Sequence, residues 1–519
     1  MYYDASVNSD GRSNRVGFDR QYLIFATLAS LLSVALFLFN TRHGIGIYPD
    51  TARYMGITEQ PYDAPLYAWL LQFPASLGFE MAKAAKAFGL SVACANTLLI
   101  WHLLTSATRK QHYAVFGTTV IILAPQFVTQ HSLAMSEPLF LFLLLLVLLC
   151  VLRYFRNARR VWLIASAVAL GSAALTRFTA PPMGAAIVAS ILLNPRHGVA
   201  RRITDAAIYG IVSASIFLTW SVISHLQKGH SIGRELWFYG NMGTSEWLSS
   251  LGALAAWLLP DDFPFAVRVL ALCAFAIAST GLILVHAYRT LHSARTMNVA
   301  YGFLPIILGL FFLFYMGFMV LATSIEANLS LNGRYAFPAY VMTVIAITIT
   351  LAEFRDSGGL LKTAHHGLVV LAVVVLCSHT VRTVVRSADA YRSGIGYASL
   401  EWTNSPTMAA VNDLPANALI YSNGPDAIAY VLRRPARYIP EHFKLRTGNE
   451  DPSNPFEKQI GDLLRASTGQ PAYLVMFDRI TWRFYRASEA ELKQLLSLAT
   501  VATAPDGRVY RILPTSSPG

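Results

Sequence analysis

Residues 46–55, GIYPDTARYM, directly follow the first long apolar run of the chain, residues 21–40, and carry an acid, a base and two tyrosines within seven positions. Pro49 disfavours helix just before it, so Asp50 is expected on a loop or at the start of a short helix. An acid beside a membrane span does not help that span to insert. Its position favours a general base or metal ligand at the outer face of a membrane enzyme, with a solvated loop acid as the alternative interpretation.

The composition around this stretch is that of a membrane protein. The chain has 519 residues, of which 54% are hydrophobic and only 13% charged. Crossing about 30 Å of hydrocarbon takes roughly 20 apolar residues. Eleven spans are predicted, near 21–40, 79–104, 113–129, 133–152, 161–176, 179–193, 206–226, 265–288, 301–323, 335–353 and 367–387. The fifth and sixth are short, and only three residues separate them.

The chain has a net charge of +12, and its Lys and Arg residues are unevenly distributed between the loops on the two sides of the predicted spans. Sixteen Lys and Arg residues fall in one set of loops and six in the other. Because cytoplasmic loops carry the excess of positive charge, the first set is predicted to be cytoplasmic, and the Asp50 loop and the C-terminal region to lie outside. A nucleic-acid-binding patch would not alternate in this way, so no nucleic acid partner is expected.

The predicted domains follow from these spans. Residues 1–20 form a polar cytoplasmic N-terminus without a signal-peptide cleavage pattern, so the first span is expected to be an uncleaved anchor. Residues 21–387 form the transmembrane domain, and residues 388–519 a soluble extracytoplasmic domain. The four cysteines fall in predicted spans without metal-ligand spacing and are expected to be packing residues.

The first outer loop is rich in aromatic residues, which suits the headgroup layer of a membrane. Segment 64–78 contains Trp69 and Phe73 and is consistent with a short helix lying on the membrane surface. The alternative is a helix start that continues directly into the span at 79–104.

Three further charged residues fall at the outer ends of predicted spans. Glu137 precedes Pro138 at the head of a very apolar helix, where it acts either as a helix cap or as a ligand for a metal or a substrate hydroxyl. Arg177 lies between two short spans and either pairs with an anion or reaches the lipid headgroups. Arg334 can bind phosphate with its planar fork; the alternatives are a headgroup contact or an ion pair with Glu326.

The region after residue 397 has a mixed, soluble composition. Strands are predicted at 418–422, 472–477 and 509–513, and helices at 426–432 and 489–498. Alternating strands and helices predict a small α/β domain. The turn at Ser422-Asn423-Gly424 is not a phosphate-binding glycine motif.

Four motifs, taken in order, resemble those of the membrane-embedded GT-C glycosyltransferases, which include protein O-mannosyltransferases and the aminoarabinose and galacturonic acid transferases of lipopolysaccharide. They are Pro49-Asp50-Thr51-Ala52-Arg53-Tyr54 in the first outer loop, Ser136-Glu137-Pro138 at the fourth span, Thr176-Arg177 before the sixth, and Gly333-Arg334-Tyr335 before a late helix that contains proline. The resemblance covers about residues 20–390, and the segment from Gly396 to Asn423 looks like the soluble tail of bacterial members.

The resemblance implies an α-helical polytopic membrane protein of GT-C type with a small C-terminal α/β extracytoplasmic domain. It also implies transfer of a sugar from a polyprenyl-phosphate donor to an acceptor hydroxyl at the outer face of the cytoplasmic (inner) membrane, with inversion. Asp50 is then the expected base, and Arg334, Arg177 and Arg53 the groups that stabilise the leaving phosphate. Tyr54, Glu137 and Tyr335 are the other expected substrate-binding residues.

Several points stay open at this stage. Many relatives carry a second acid in the first motif, whereas Thr51 follows Asp50 here; no metal ligand is therefore assigned, although a divalent cation is possible. The acceptor is a lipid, a polysaccharide or a protein. The alternative functions are a transporter or flippase and a polymerase or ligase of lipid-linked glycans. Transporters tend to show internal repeats, of which none is seen, and polymerases a larger outer loop than residues 227–264.

Overall fold

The computed structural model describes residues 20–513 except 59–62, 230–231, 233–237, 239–241, 293–298 and 327. The predicted cytoplasmic N-terminus therefore lies outside the described residues, apart from Arg20. Part of the outer loop at 227–264 lies outside them as well.

Helices make up the described chain as far as residue 393. They are α1 (Arg20–Asn40), α2 (Pro49–Tyr54), α3 (Pro65–Ser76), α4 (Met81–Thr108), α5 (Gln111–Ile122), α6 (Pro125–His131), α7 (Glu137–Asn157), α8 (Arg160–Thr176), α9 (Pro181–Leu193), α10 (Val199–Lys228), α11 (Thr244–Ala255), α12 (Phe265–His292), α13 (Val299–Ile325), α14 (Gly333–Phe354) and α15 (Gly359–Ser393).

The chain is a multi-pass membrane protein. Eight of the described helices are long and apolar enough to cross a membrane, and the pair α5 and α6 makes a ninth if it forms one span. Every predicted span is helical, but α8 and α9 have only 17 and 13 residues and are shorter than a usual span. The predicted count of eleven is therefore not confirmed.

The break between α5 and α6 shapes the outer end of the bundle. The two helices meet at 60°, because Pro125 has no N–H to donate and holds Ala124 in an extended conformation. The chain then turns inward through α6, and His131 at its end is buried against Asn96 and the Phe127 carbonyl. Helices α7 and α14 are buried along almost their whole length and form the centre of the bundle.

Helices α2 and α3 lie between the first two spans. Helix α3 ends at Ser76 and α4 begins at Met81, so the expectation of one continuous helix here is wrong. Helix α3 buries Tyr67 and Leu71 and exposes Trp69 and Phe73, which gives it the apolar outer surface expected of a helix at a membrane interface.

The C-terminal region is a small α/β domain, as predicted. Its elements are α16 (Leu400–Thr403), α17 (Pro406–Asn412), β1 (Leu419–Ser422), α18 (Pro425–Leu432), β2 (Arg437–Tyr438), α19 (Phe456–Gly469), β3 (Ala472–Phe477), α20 (Glu489–Leu495), β4 (Leu498–Ala504) and β5 (Gly507–Ile512). The strand order is β2-β1-β3-β5-β4. Strand β1 pairs in parallel with β2 and β3, and β5 pairs antiparallel with β3 and β4. Every side chain of β3 is buried at the centre of this sheet.

Three distant segments meet in backbone pairing just before α2. The N–H of Gly46 donates to the Ser132 carbonyl at 2.9 Å, and the Ala134 N–H donates to the Gly46 carbonyl at 3.0 Å. The Tyr397 N–H donates to the Ile47 carbonyl at 2.9 Å. The start of the soluble domain is thereby fixed to the loop that carries Asp50.

Candidate active site

Helix α2 sets the position of Asp50. Pro49 occupies its first turn, where a missing N–H costs nothing. The Thr51 hydroxyl accepts from the Tyr48 N–H at 3.3 Å and contacts the Met135 sulfur at 3.4 Å. With Thr51 fully buried, Asp50 is directed away from the bundle core and towards charged residues from other segments.

Two arginines bind the Asp50 carboxylate. Arg53 donates from Nη2 to Oδ1 at 2.6 Å, and Arg334 donates from Nη1 to Oδ2. Arg53 also donates from Nε to Asp63 at 2.6 Å, which holds its guanidinium in place. Both oxygens of Asp50 are therefore engaged by cations.

Arg334 also donates from Nε to Glu137, so its planar fork joins two carboxylates. Arg177 forms an ion pair with the same Glu137 oxygen at 2.6 Å and donates a hydrogen bond to the Ser136 hydroxyl at 3.2 Å. Glu137 is fully buried. Its second oxygen, Oε2, has no hydrogen-bond partner among the described residues.

Acids and bases thus alternate in one continuous cluster built from four parts of the chain. In order of contact, its members are Asp63, Arg53, Asp50, Arg334, Glu137 and Arg177. Charges at membrane depth are costly unless each has an opposite partner. The alternation supplies those partners while keeping three guanidinium groups within one small volume.

The two predicted tyrosines border this cluster. The Tyr54 hydroxyl lies 3.2 Å from that of Ser136, and Tyr54 packs edge-on against Tyr67. The Arg177 guanidinium lies over the Tyr335 ring at 5.3 Å. Asn332 caps α14 by accepting from the backbone N–H groups of Arg334 and Tyr335, which fixes where α14 presents both side chains.

The pKa of the Asp50 carboxyl lies well below its ordinary value. Burial alone would raise this pKa, but the Arg334 and Arg53 guanidinium groups stabilise the anion by charge and hydrogen bonding and outweigh the burial. Asp50 is therefore ionised throughout the physiological pH range. As long as both arginines stay in contact, it is a weak base.

Asp50 and Arg334 lie between two cavities. The first, which we call the domain cavity, has a volume of about 480 Å³ and runs between the Asp50 loop and the C-terminal domain. The second, the helix cavity, has about 270 Å³ and is lined by Arg177 and by apolar side chains such as Phe217 and Phe318. One side of the cluster thus faces the C-terminal domain, and the other faces apolar side chains of α10 and α13.

No metal site is evident in the part of the chain that the structure describes. No group of three or more His, Cys, Asp or Glu side chains comes together there. The carboxylates of Asp50, Asp63 and Glu137 bind arginines instead, so no step of the chemistry below is assigned to a metal.

The structure brings together every residue that the sequence singled out. Arg177 pairs with a carboxylate, as one of its two interpretations required, and Glu326 pairs with Arg446 at 3.2 Å rather than with Arg334. Glu137 lines neither cavity and pairs with Arg177 and Arg334. Sequence reasoning missed Asp63, which no motif distinguishes, and the C-terminal residues that line the domain cavity, such as Trp482 and Arg486.

Comparisons with known proteins agree with this architecture. Residues 60–225 match the family model described as dolichyl-phosphate-mannose-protein mannosyltransferase. A sequence search among curated proteins finds no significant match.

Two solved structures share the fold. The crystal structure of ArnT from Cupriavidus metallidurans bound to undecaprenyl phosphate superposes with a TM-score of 0.55 at 14% identity, over 95% of this chain and 98% of that one. The archaeal oligosaccharyltransferase AglB from Archaeoglobus fulgidus, in complex with an inhibitory peptide and a dolichol-phosphate, gives a TM-score of 0.54 at 12% identity, over 96% of this chain and 74% of that one. The chain has the fold of these two structures, and the predicted resemblance to the GT-C glycosyltransferases is confirmed for the fold and by the family match over residues 60–225.

Proposed function

We propose that this protein is a membrane glycosyltransferase that moves a sugar from a polyprenyl-phosphate donor to an acceptor hydroxyl at the outer face of the cytoplasmic membrane. The observation that carries the proposal is the Asp50–Arg334 ion pair, whose two residues line both the domain cavity and the helix cavity. The solved relatives support the donor class, since the ArnT structure contains undecaprenyl phosphate and the AglB structure a dolichol-phosphate.

In this proposal the helix cavity takes the lipid phosphate. Arg177 and Arg334 both line this cavity, together with apolar residues of α10 and α13 that suit a polyprenyl tail. A guanidinium fork binds phosphate oxygens through two parallel hydrogen bonds. The sugar attached to that phosphate would then lie near Asp50, and the acceptor would approach through the domain cavity.

Transfer is then a single displacement. The acceptor oxygen bonds to the anomeric carbon as the bond from that carbon to the phosphate oxygen breaks, and the phosphate keeps the bonding electrons. Asp50 takes the proton of the acceptor hydroxyl, and Arg334 and Arg177 stabilise the charge that grows on the phosphate. Because the phosphate leaves as an anion, no acid is needed to protonate it, and attack from the opposite face inverts the configuration.

Donor binding would also prepare the base. A phosphate that engages Arg334 competes with Asp50 for the same guanidinium. Losing part of this contact raises the pKa of Asp50 from its depressed value. The carboxylate therefore becomes a better proton acceptor when the donor is in place, which couples the two substrates through one ion pair.

Transport and polymerisation are less well supported. A transporter needs ionisable or broken segments at the midplane of the membrane. The charges of this cluster come from α2, from the loop that follows it and from the ends of α7, α8 and α14, which is where an enzyme acting at the membrane surface needs them.

The proposal is tested by deleting the gene in its native host and restoring either the wild type or Asp50→Asn. Mass spectrometry then measures lipid-linked sugars and envelope glycans. Deletion is expected to accumulate one polyprenyl-phosphate sugar and to remove that sugar from an envelope glycan, and Asp50→Asn is expected to do the same although the protein still inserts.

Asp261→Asn is the matched control. Asp261 is an exposed acid of an outer loop that pairs with Arg268, and its variant should restore normal glycans. Unchanged lipid-linked sugars after deletion would contradict the transferase. Normal glycans with Asp50→Asn would remove Asp50 from its role as base.

A further inference from the structure

The C-terminal domain supplies one side of the domain cavity, which we call the C-terminal wall. Its side chains come from the segment after β2 and from the segment after β3, and they include Tyr438, Glu441, Lys444, Trp482, Tyr485 and Arg486. This wall faces Asp50 across the cavity. Whatever binds against it is held within reach of the proposed base.

The wall presents one exposed aromatic side chain, Trp482, whose ring centre lies 5.9 Å from the Arg483 guanidinium. Trp482 lines the cavity yet is 46% exposed. Tyr438 is held flat by Arg486, whose guanidinium lies 4.2 Å from the ring centre. Aromatic faces in a cavity attract flat, partly apolar groups, and the C–H face of a sugar ring is such a group.

The cations of this wall are already matched by acids. Arg483 is paired with Asp426 through two bonds at 2.8 and 2.9 Å, and Arg486 with Glu441 at 2.8 Å. Lys444 lies 3.4 Å from Asp451. A polyanionic acceptor would have to displace these acids from the cations. Neutral hydroxyl groups can instead form additional hydrogen bonds with both members of an ion pair.

The backbone of this wall is also engaged. Glu441 bridges to Arg486 in antiparallel pairing, and the His442 N–H donates to the Tyr485 carbonyl at 2.9 Å. A peptide acceptor that binds in extended form adds a strand to an open sheet edge, and here that edge is taken by the protein's own chain.

We propose that the acceptor is a carbohydrate, and that Trp482 is the platform on which one of its sugar rings stacks while a neighbouring hydroxyl reaches Asp50. This inference rests on the proposed function and adds the chemical class of the acceptor to it. Arg486 and Glu441 then hold hydroxyls of the same glycan as a donor and an acceptor of hydrogen bonds.

The test is to capture the ligand in the native host. A photoreactive benzophenone amino acid replaces Trp482 in one strain and Phe484 in another, and purified full-length protein is analysed by mass spectrometry after irradiation. Phe484 is the matched control, because it is an aromatic residue of the same segment, is 62% exposed and does not line the cavity. An adduct at position 482 that contains sugar residues, in excess over position 484, is expected.

A peptide adduct at position 482, an adduct of lipid without sugar, or equal capture at both positions would overturn the proposal. A second measurement uses glycan transfer in cells. Trp482→Ala is expected to lower transfer about tenfold, which corresponds to about 1.4 kcal/mol. Trp482→Phe, which keeps a smaller ring, is expected to lower it less, and Phe484→Ala to leave it near the wild type. Equal transfer by Trp482→Ala and the wild type would also overturn it.

The two proposals fail separately. If deletion of the gene leaves the lipid-linked sugars unchanged, the transferase itself is wrong, whatever is captured at position 482. If the donor accumulates on deletion but a peptide is captured, the transferase stands and the carbohydrate acceptor is wrong.

Discussion

At the scale of single residues, the cluster is organised by the geometry of one guanidinium. Arg334 donates to Asp50 with one nitrogen and to Glu137 with another, which a lysine ammonium cannot reproduce in the same planar arrangement. Glu137 in turn holds Arg177. A fully buried acid that touches neither cavity thereby fixes the two cations proposed to bind phosphate.

Glu137→Gln tests this positioning role. The variant keeps the shape of the side chain but removes the charge that compensates two guanidinium groups, so we expect it to destabilise the protein by about 3 kcal/mol and to lower transfer at least tenfold. Thermal unfolding of the purified protein and glycan transfer in cells provide the measurements.

Ser136→Ala is the paired control for that variant. It removes hydrogen bonds to Tyr54 and to the Arg177 guanidinium but leaves the charges of the cluster intact, and it should cost about 1.5 kcal/mol. A Glu137→Gln protein as stable as Ser136→Ala would show that the buried charge does not hold the cluster together.

The sequence predicted the members of this cluster better than their contacts. Asp50, Arg177 and Arg334 stood out because charges at the ends of apolar segments need an explanation. Asp63 lies in a loop rich in polar and aromatic residues, where an acidic residue is common and does not stand out. Only the folded loop brings it to Arg53. Which acid pairs with which base depends on helix packing that no local pattern encodes.

At the scale of elements, the pairing of residues 46–47 with 396–397 ties the soluble domain to the active-site loop. Gly396 has φ +58°, and a Cβ there would lie 2.2 Å from the Ile47 carbonyl oxygen. The contact is with backbone, so it cannot be relieved by a change of side-chain conformation. Only glycine permits this approach.

We therefore expect Gly396→Ala to displace the Ile47 segment and helix α2 with it. Thermal stability and transfer should both fall. Transfer should fall by an order of magnitude or more, because Asp50 moves out of its position beside Arg334. Gly461→Ala in α19, where nothing lies within 4 Å of an added Cβ, should leave both unchanged or slightly improved. Wild-type transfer by Gly396→Ala would disprove the coupling.

Elements with strong local patterns were predicted and those made by tertiary contacts were not. Strands β1, β3 and β5 are apolar runs that end in turns, and their predicted positions are confirmed. Strand β2 has only two residues and exists through pairing with β1. The bend at Pro125 was not predicted, although a proline inside an apolar run is itself a signal for a break in the helix.

At the scale of the whole molecule, the C-terminal domain packs against the end of the bundle that carries Asp50. Its loop at residues 444–447 reaches the connection between α13 and α14, where Asn328 donates to the Leu445 carbonyl at 2.8 Å and Arg446 pairs with Glu326. The domain cavity is enclosed by both parts. Counting charges predicted which loops lie on the same side of the membrane. It did not predict the domain cavity, because that cavity depends on how the C-terminal domain packs against the helix bundle.

The proposed orientation places this domain outside the cytoplasm. In a cysteine-free background, Ser453→Cys in the soluble domain should react with a membrane-impermeant maleimide in intact cells, and Asp356→Cys between α14 and α15 should react only after the membrane is opened. Both positions are exposed in the structure. The opposite pattern of labelling would invert the topology and place the transfer reaction on the cytoplasmic side.

The contact between Ile47 and Tyr397 also has a consequence for biosynthesis. The two partners are about 350 residues apart in the chain, and ribosomes add about 5–20 residues per second. The first outer loop therefore waits roughly 20 to 70 s for the strand that completes it. Since Tyr397 follows the last helix of the bundle, which ends at Ser393, the proposed active site is completed only after the whole bundle has been made. Under the proposed function, an unfinished chain would therefore not consume donor in the membrane.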